Sequence, residues 1–316
     1  MFFPVPPDLF FTKNDIEDIR LGDLAQNFDS DKCKPNDFVI FGYPDDEGIK
    51  LNGGRVGAQL APRQIRQFLY KMTVSAKRPT FKSQIFDYGD LALSTPDLSL
   101  RHKIAHSHVL KTHTSELKVI SFGGGHDYGY PDCAAFIDAY FNTHQQKPII
   151  LNFDAHMDVR PTKNGPNSGT PFYRLHESHL NKFNLIEIGI QNQCNSPHHI
   201  RWAKDRSVEI VDLDTLNEQG WNYLWTKTVL SEVDSKRPVF VSFDIDALQA
   251  AEAGGCSQAW ATGLKLQDCL NFLTQLYKKT SVKGLGIYEV SPPLDRDFQT
   301  SKTAALLTHH FIFNNC

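Results

Sequence analysis

The segment "PIILNFDAHMDVRP", residues 148–161, runs from an apolar stretch directly into acidic and imidazole side chains. Its first half is typical of a β-strand buried on both faces, as in a parallel sheet that helices cover. Its second half places Asp154, His156 and Asp158 at alternate positions, and alternate side chains of an extended chain share one side. The segment therefore predicts a buried strand that ends in a set of metal ligands.

Short apolar runs of the same kind recur along the chain and alternate with longer segments of helical spacing. The other predicted strands are "FVIFGYP" from Phe38, "VISFGGG" from Val119, "NLIEIGIQ" from Asn184, "VEIVDLD" from Val208, "PVFVSFDID" from Pro238 and "GLGIYEV" from Gly284. The predicted helices span 98–118, 131–141, 215–233, 265–279 and 300–313. This alternation indicates βαβ units and an α/β fold, a three-layer αβα domain with a mostly parallel central sheet.

Composition sets the class of protein. The 316 residues carry 33 Lys plus Arg and 36 Asp plus Glu, a formal net charge of −3, and no five consecutive residues carry the same charge, which argues against nucleic-acid or membrane-surface partners. We expect one domain over residues 1–316, with an irregular extension over about residues 1–35. The start is a poor signal peptide and the six scattered cysteines contain no CxxC pair, so we expect a cytoplasmic protein with reduced thiols.

Two more predicted strands end in possible ligands. "SFGGGHD" supplies His126, and "VSFDID" supplies Asp244 and Asp246. Either motif alone has an ordinary explanation, because a glycine run can be a tight turn and an Asp after a strand often caps a loop. In open parallel sheets, however, the carboxyl ends of the strands meet at one edge, where ligands bind. The conjunction of three such strand ends therefore favours one site.

Four carboxylates beside two imidazoles would repel one another unless cations neutralise them. Two divalent ions match the four negative charges. Oxygen and imidazole ligands without thiolate suit Mn²⁺, and they also admit Co, Ni, Zn or Fe. Two such ions, about 3.5–4 Å apart, lower the pKa of a shared water and generate a hydroxide nucleophile. The predicted chemistry is hydrolysis, with Asp158 as the acceptor of the released proton.

These motifs, in this order, resemble the ureohydrolase family, which includes arginase, agmatinase and formimidoylglutamase. "GGGHD", "DAHMD" and "SFDID" carry the resemblance, which extends from about Phe38 to the C-terminus. It implies an arginase-like αβα fold and a binuclear manganese site, two Mn²⁺ per chain. The implied ligands are the six residues already selected: His126, Asp154, His156, Asp158, Asp244 and Asp246.

Loop sequences resemble the formimidoylglutamase branch most. The segments concerned are "DEGIKLNGGRVGAQLAPRQIR" from Asp46, "NSGTPFYRL" from Asn167, "DIDALQAAEAGGCSQAWATGL" from Asp244 and "EVSPPLDRD" from Glu289. Gly125 stands where arginases and agmatinases usually have Asp, and Phe172 stands where arginases have a proton-shuttling His. The resemblance implies hydrolysis of N-formimidoyl-L-glutamate, an amidine with carboxylates, to L-glutamate and formamide in histidine degradation.

Candidate substrate contacts follow from the same comparison. Arg160 lies two residues beyond Asp158, and a guanidinium fork binds carboxylates through two parallel hydrogen bonds. A solvated surface arginine is the alternative. Glu289 matches a family glutamate that binds the cationic amidine nitrogens of the substrate. The alternative interpretation is a structural glutamate that caps a helix or forms a salt bridge. The weaker candidates are Asn52, Arg55, Ser168 and Gln258, and for Arg55 a structural ion pair is equally supported.

Two rival functions stay open at this point. One is a ureohydrolase that acts on a guanidino acid or an agmatine-like substrate, and the other is a non-catalytic metal-binding relative. The histidines His102, His106, His108 and His113 on a predicted helix are interpreted as surface residues. Family members form trimers and hexamers, so the resemblance makes a homo-oligomer possible.

Overall fold

A computed structural model describes residues 1–75, 82–144, 147–232 and 237–315. The last residue of the predicted helix 215–233, and Cys316, lie outside the described residues. The other five cysteines are free thiols, in agreement with the expected reduced state.

A single sheet forms the centre of the molecule. In the described part of the chain its ten strands are β1 Phe2–Phe3, β2 Ala25–Asn27, β3 Phe38–Gly42, β4 Ile85–Leu91, β5 Lys118–Phe122, β6 Ile149–Phe153, β7 Asn184–Ile190, β8 Glu209–Asp212, β9 Pro238–Asp244 and β10 Ser281–Tyr288. Their order is β1-β4-β3-β5-β10-β9-β6-β7-β8, with β2 also paired to β4. Only β1 pairs antiparallel among these strands, so the predicted mostly parallel sheet is confirmed.

Helices cover both faces of this sheet. The α-helices within the described residues are α1 Leu21–Leu24, α2 Glu47–Leu51, α3 Ala61–Leu69, α4 Leu98–Thr114, α5 Gly129–His144, α6 Pro171–His179, α7 Pro197–Lys204, α8 Leu213–Gln219, α9 Asn222–Lys227, α10 Ala250–Ala253, α11 Leu266–Lys279 and α12 Gln299–Asn314. Alternate residues of β6 face opposite cores. Leu151 and Phe153 pack in one cluster with Leu273 of α11, whereas Ile150 packs with Phe136 of α5. The three-layer αβα prediction is confirmed. None of the described helices combines the length and the apolar character that a membrane crossing requires.

Two predictions about individual segments need correction. The segment before Phe38 is not wholly irregular, because β1 and β2 pair with β4 and cover an otherwise open sheet edge. The predicted helix 215–233 is instead two α-helices, α8 and α9, followed by the 3₁₀ turn Val229–Glu232. Gly220 causes the interruption, since its backbone is left-handed with φ of 71° and ends α8.

The interpretation of the four helix histidines as surface residues is wrong for two of them. His102 and His113 are each only 1% exposed. They lie eleven residues apart, about three helical turns, and so belong to the same stripe of α4, which packs towards α5 and the sheet. His106 and His108 are half-buried.

Strand order decides where the functional side chains meet. β5 and β6 follow each other in the sequence, yet β10 and β9 lie between them in the sheet. This is the point at which the order of the strands reverses, and it opens a crevice at their carboxyl ends. All four strands of this group are followed at that edge by polar residues.

Candidate metal centre

The segment after β6 supplies its ligands from a loop and not from an extended strand. β6 ends at Phe153, and Asp158 adopts a left-handed backbone with φ of 47°. We expected Asp154, His156 and Asp158 to share one side because side chains alternate along a strand. That explanation is wrong, since these residues lie beyond the end of the strand. The loop instead turns the three side chains towards the residues that follow β5 and β9.

One group of ligand atoms surrounds the imidazole of His126. Its Nδ1 atom lies 3.0 Å from Asp154 Oδ2, 3.1 Å from Asp158 Oδ2 and 3.2 Å from Asp244 Oδ2. The four ligand atoms lie within 4.8 Å of one another. A single N–H can point at only one of three oxygens, whereas a cation among the four atoms would contact all of them.

A second group lies beside the first. His156 Nδ1 is 3.1 Å from Asp246 Oδ2 and 3.5 Å from Asp154 Oδ1. Asp154 belongs to both groups, with one carboxylate oxygen towards each imidazole. The structure thus brings all six predicted ligands together, in two neighbouring clusters that share one carboxylate.

Burial makes this concentration of charge costly without cations. Burial and the nearby Asp246 and Asp154 carboxylates hold the pKa of Asp244 well above its usual range. Burial, followed by the charge of Asp154, raises the pKa of Asp158 to about 6. Burial lowers the pKa of His126, but hydrogen bonds with Asp154, Asp158 and Asp244 outweigh it and raise the value well above normal. Hard oxygen donors with imidazole, crowded in this way, fit two Mn²⁺ ions.

The backbone around His126 fixes the orientation of its ring. Gly124 passes so close to the backbone of Asp45 that a Cβ atom there would lie 1.7 Å from the Asp45 carbonyl oxygen, so this turn needs glycine. The ring Nε2 is 2.9 Å from Ser242 Oγ, which leaves Nδ1 directed at the carboxylates. The ring also stacks on Tyr288, with centroids 4.9 Å apart.

Glu289 follows β10 and faces the same centre. Its φ is 64°, and its Oε1 accepts a hydrogen bond from the backbone N–H of His126 at 3.1 Å. Burial raises its pKa to about 8, with further contributions from Asp246 and Asp158. Left-handed backbone at a residue other than glycine is costly and tends to cluster at functional sites, and here both Asp158 and Glu289 adopt it.

A cavity of about 200 Å³ opens above the two ligand groups. The predicted residues in its wall are His156, Asp158, Asp244, Asp246, Glu289, Asn52, Arg160, Ser168 and Gln258. Asp158 is the most accessible carboxylate of the first group, with 12% of its side chain exposed against 4% for Asp244 and 0% for Asp154. The cavity therefore borders both the candidate metal ligands and the candidate substrate contacts.

Three of these candidates form a hydrogen-bonded chain at the mouth. Arg160 Nη1 donates to Asn52 Oδ1 at 2.9 Å, and Asn52 Nδ2 donates to Ser168 Oγ at 3.1 Å. Arg160 is exposed and forms no salt bridge among the described residues. Its guanidinium therefore retains donors for an anionic ligand.

Arg55 is placed differently. Its guanidinium donates to the backbone carbonyls of Cys256 and Ser257, and it is not part of the cavity wall. These contacts favour a structural role for Arg55, through backbone carbonyls instead of an ion pair. Gln258 is exposed at the rim of the cavity.

A model of the arginase family matches residues 36–313. The chain belongs to the arginase family.

This arginase-family chain is similar to several formimidoylglutamases. It is 30% identical to the formimidoylglutamase of Legionella pneumophila (strain Paris), over 88% of this chain and 85% of the relative. It is 31% identical to that of Bacillus subtilis (strain 168), over 92% and 90%. A crystal structure of Trypanosoma cruzi formiminoglutamase with two Mn²⁺ superimposes with a TM-score of 0.82 and 26% identity, covering 94% of this chain and 98% of that one.

Phe172 distinguishes this arginase-family site from one that contains a shuttle histidine. Its ring is fully buried and packs edge-on against His126, with centroids 5.6 Å apart. An aromatic hydrocarbon at this point accepts no proton.

Several residues of the arginase-family centre did not stand out in the sequence. Ser242, Asn152 and Glu187 are fully buried polar residues of β9, β6 and β7, and Cys194 lines the cavity. A signal existed for two of them: Asn152 and Ser242 each precede the first aspartate of their motif by two positions, which places them on the same side of the strand.

Proposed function

We propose that this protein is a binuclear manganese hydrolase that converts N-formimidoyl-L-glutamate and water to L-glutamate and formamide. The observation that carries the proposal is the pair of His/Asp groups sharing Asp154, below a cavity that contains both a carboxylate, Glu289, and a guanidinium, Arg160. The similarity to formimidoylglutamases supports the same substrate.

The six candidate ligands would hold two Mn²⁺ ions, which would activate a water molecule as the nucleophile near neutral pH. Glu289 binds the cationic amidine nitrogens and so places the imino carbon over the ligand groups, an effect of positioning as much as of charge. A cation beside Glu289 also favours its ionised form, against the burial that raises its pKa to about 8. Asp158, the accessible carboxylate of the first group, accepts the proton released during attack.

Arg160 provides selectivity for an acidic substrate. Its fork lies at the cavity mouth, held on one side by Asn52, and can bind a glutamate carboxylate through charge-assisted hydrogen bonds. Ser168 and Gln258 extend the polar wall along the same path. Agmatine lacks a carboxylate and would bring a second positive charge near Arg160, which disfavours it.

A product assay tests the proposal directly. The Mn²⁺-loaded protein is given formimidoylglutamate, guanidinopropionate, guanidinobutyrate, arginine and agmatine, and formamide, glutamate and urea are quantified. We expect formamide with glutamate from the first substrate only. Urea from a guanidino acid would establish the rival ureohydrolase, and two bound Mn²⁺ without any turnover would establish a non-catalytic relative.

A substitution tests the role of Arg160. Arg160→Ala should raise KM for formimidoylglutamate with manganese content unchanged, because the lost contact lies outside the ligand groups. Lys163→Ala is the matched control, since it removes an exposed positive charge three residues further on that does not line the cavity. Loss of metal from Arg160→Ala would instead assign Arg160 a structural role.

The cytoplasmic location and the homo-oligomer stay predictions. Light scattering on the purified protein, with and without Mn²⁺, measures the second of these.

A further inference from the structure

A row of small or polar residues crosses the sheet just below the metal ligands. The strand registers align Ser121 of β5 with Gly286 of β10, Gly286 with Ser242 of β9, Ser242 with Asn152 of β6, and Asn152 with Glu187 of β7. The neighbouring residues of these strands are almost all apolar. A buried polar row inside an apolar sheet calls for a specific explanation, because each polar group must find a partner.

Ser242 already has such an explanation, since it orients the ring of His126. Asn152 has a parallel one. Its Nδ2 atom donates to Glu187 Oε2 at 2.7 Å and lies 3.3 Å from Asp154 Oδ2. The two N–H bonds of this amide are thus shared between an oxygen of Glu187 and an oxygen of Asp154.

Glu187 is the outermost member of this chain of contacts. It is fully buried, forms no salt bridge in the described part of the chain, and its Oε1 has no hydrogen-bond partner there. Burial holds its pKa well above the usual range, and the charges of Asp154 and Asp158 act in the same direction. A buried carboxyl group in the interior of a strand contributes less to stability than an apolar side chain would. Its hydrogen bond to Asn152 is the contact that accounts for its presence.

The carboxylate at the other end of this chain is the one that both ligand groups share. Asp154 directs Oδ2 to His126 and Oδ1 to His156, so a rotation of its carboxylate would disturb both groups at once. Outer partners that orient metal ligands are worth about 10- to 100-fold in metal affinity or activity.

We propose that Glu187 is a positioning residue of the metal centre: it fixes Asn152, which in turn fixes the carboxylate of Asp154 with one oxygen towards each ligand group. This inference rests on the proposed manganese site but not on the proposed substrate. A failure to release formamide would therefore leave it intact, and the measurements below test it without any turnover.

The test is manganese binding by the full-length chain after removal of metal with a chelator. Calorimetric titration with MnCl₂ gives the affinity, and electron paramagnetic resonance reports the magnetic coupling of the Mn²⁺ pair. Glu187→Ala should lower the affinity by about 10- to 100-fold and alter the coupled spectrum. Glu187→Gln keeps an acceptor oxygen for Asn152 and should restore both properties.

A matched control separates positioning from general loss of stability. Ile186→Ala removes a fully buried neighbour on the same strand, whose side chain packs in the opposite core. It should lower the melting temperature yet retain the affinity and the spectrum. An equal loss of affinity in Ile186→Ala, or unchanged binding and spectrum in Glu187→Ala, would overturn the proposal.

A double-mutant cycle tests whether Glu187 acts through Asn152. Asn152→Leu keeps the shape of the side chain but removes its donor, and should lower affinity as Glu187→Ala does. Adding Glu187→Ala to it should then cost little more. Should Glu187→Ala fail to fold, Asn152→Leu and Glu187→Gln still decide: the proposal fails if Asn152→Leu binds Mn²⁺ normally or if Glu187→Gln binds as weakly as Asn152→Leu.

Discussion

Two histidines of this protein are equally buried and have opposite environments. His126 lies at the carboxyl edge of the sheet with three carboxylate oxygens 3.0–3.2 Å from Nδ1. His113 lies near the end of α4 among the rings of Phe136, Tyr140 and Phe240, and neither of its nitrogens has a hydrogen-bond partner among the described residues. Burial, assisted by Lys283, lowers the pKa of His113 to about 3, whereas the pKa of His126 is raised well above normal.

The difference shows that burial alone does not identify a functional histidine. The partners decide: three carboxylates surround His126 with groups that could hold a cation, and aromatic rings make His113 a neutral core residue. A substitution at His113 is therefore a control for a substitution in the group around His126, because it changes a buried side chain without changing that group.

The largest expected effect is loss of the metal centre. Asp158→Asn removes one charged ligand from the group around His126 and should reduce both manganese content and kcat/KM by more than about 100-fold, beyond the range for outer partners. Elemental analysis and the formamide assay measure the two together. An enzyme indifferent to this change would contradict the ligand set.

A smaller effect is expected on stability when metal binds. Mn²⁺ at about 100 times its dissociation constant should stabilise the native state by about 2.7 kcal/mol for each site that it fills, because it binds the folded chain and not the unfolded one. Thermal melts in Mn²⁺ and in chelator measure this. The Asp158→Asn variant should lose most of the rise in melting temperature that Mn²⁺ causes, and the His113→Phe variant should keep it. A shift that disappears in His113→Phe would break the contrast between the two histidines.

The smallest effect concerns acid sensitivity at His113. Its pKa of about 3 lies below the ordinary value, so between about pH 6.5 and 3 the unfolded chain binds a proton that the native chain does not. Because only the unfolded chain binds this proton, the free energy of unfolding falls with the pH, by roughly 2 kcal/mol from pH 7 to pH 5. The free energy of unfolding is measured with urea at both pH values. His113→Phe should remove this contribution to the difference between them.

Phe136→Leu serves as the control for this experiment, since it alters the same aromatic contact without an ionisable group. It should change the free energy of unfolding by a similar amount at both pH values. An unchanged pH dependence in His113→Phe would show that other groups account for the acid sensitivity.

Some elements escaped prediction for definite reasons. β4, "IFDYGDL", did not resemble a buried strand because Asp87 and Asp90 interrupt it, yet Asp87 is fully buried in a salt bridge with Arg66 of α3. The partner that makes this aspartate acceptable is 21 residues away in sequence. Glu187 escaped notice for the same reason, since its partner Asn152 belongs to a different strand.

The sequence by itself determined the alternation of strands and helices and singled out the six candidate ligands. Both are encoded locally: apolar runs give the strands, and the ligands follow those runs within a few positions. The tertiary structure alone decided that β10 and β9 separate β5 from β6, which brings the ligands together at one edge. It also decided which histidines are buried, and that Arg55 binds backbone carbonyls while Arg160 stays available. The physical reason is that burial and charge pairing depend on contacts between segments far apart in the chain, which a local pattern does not record.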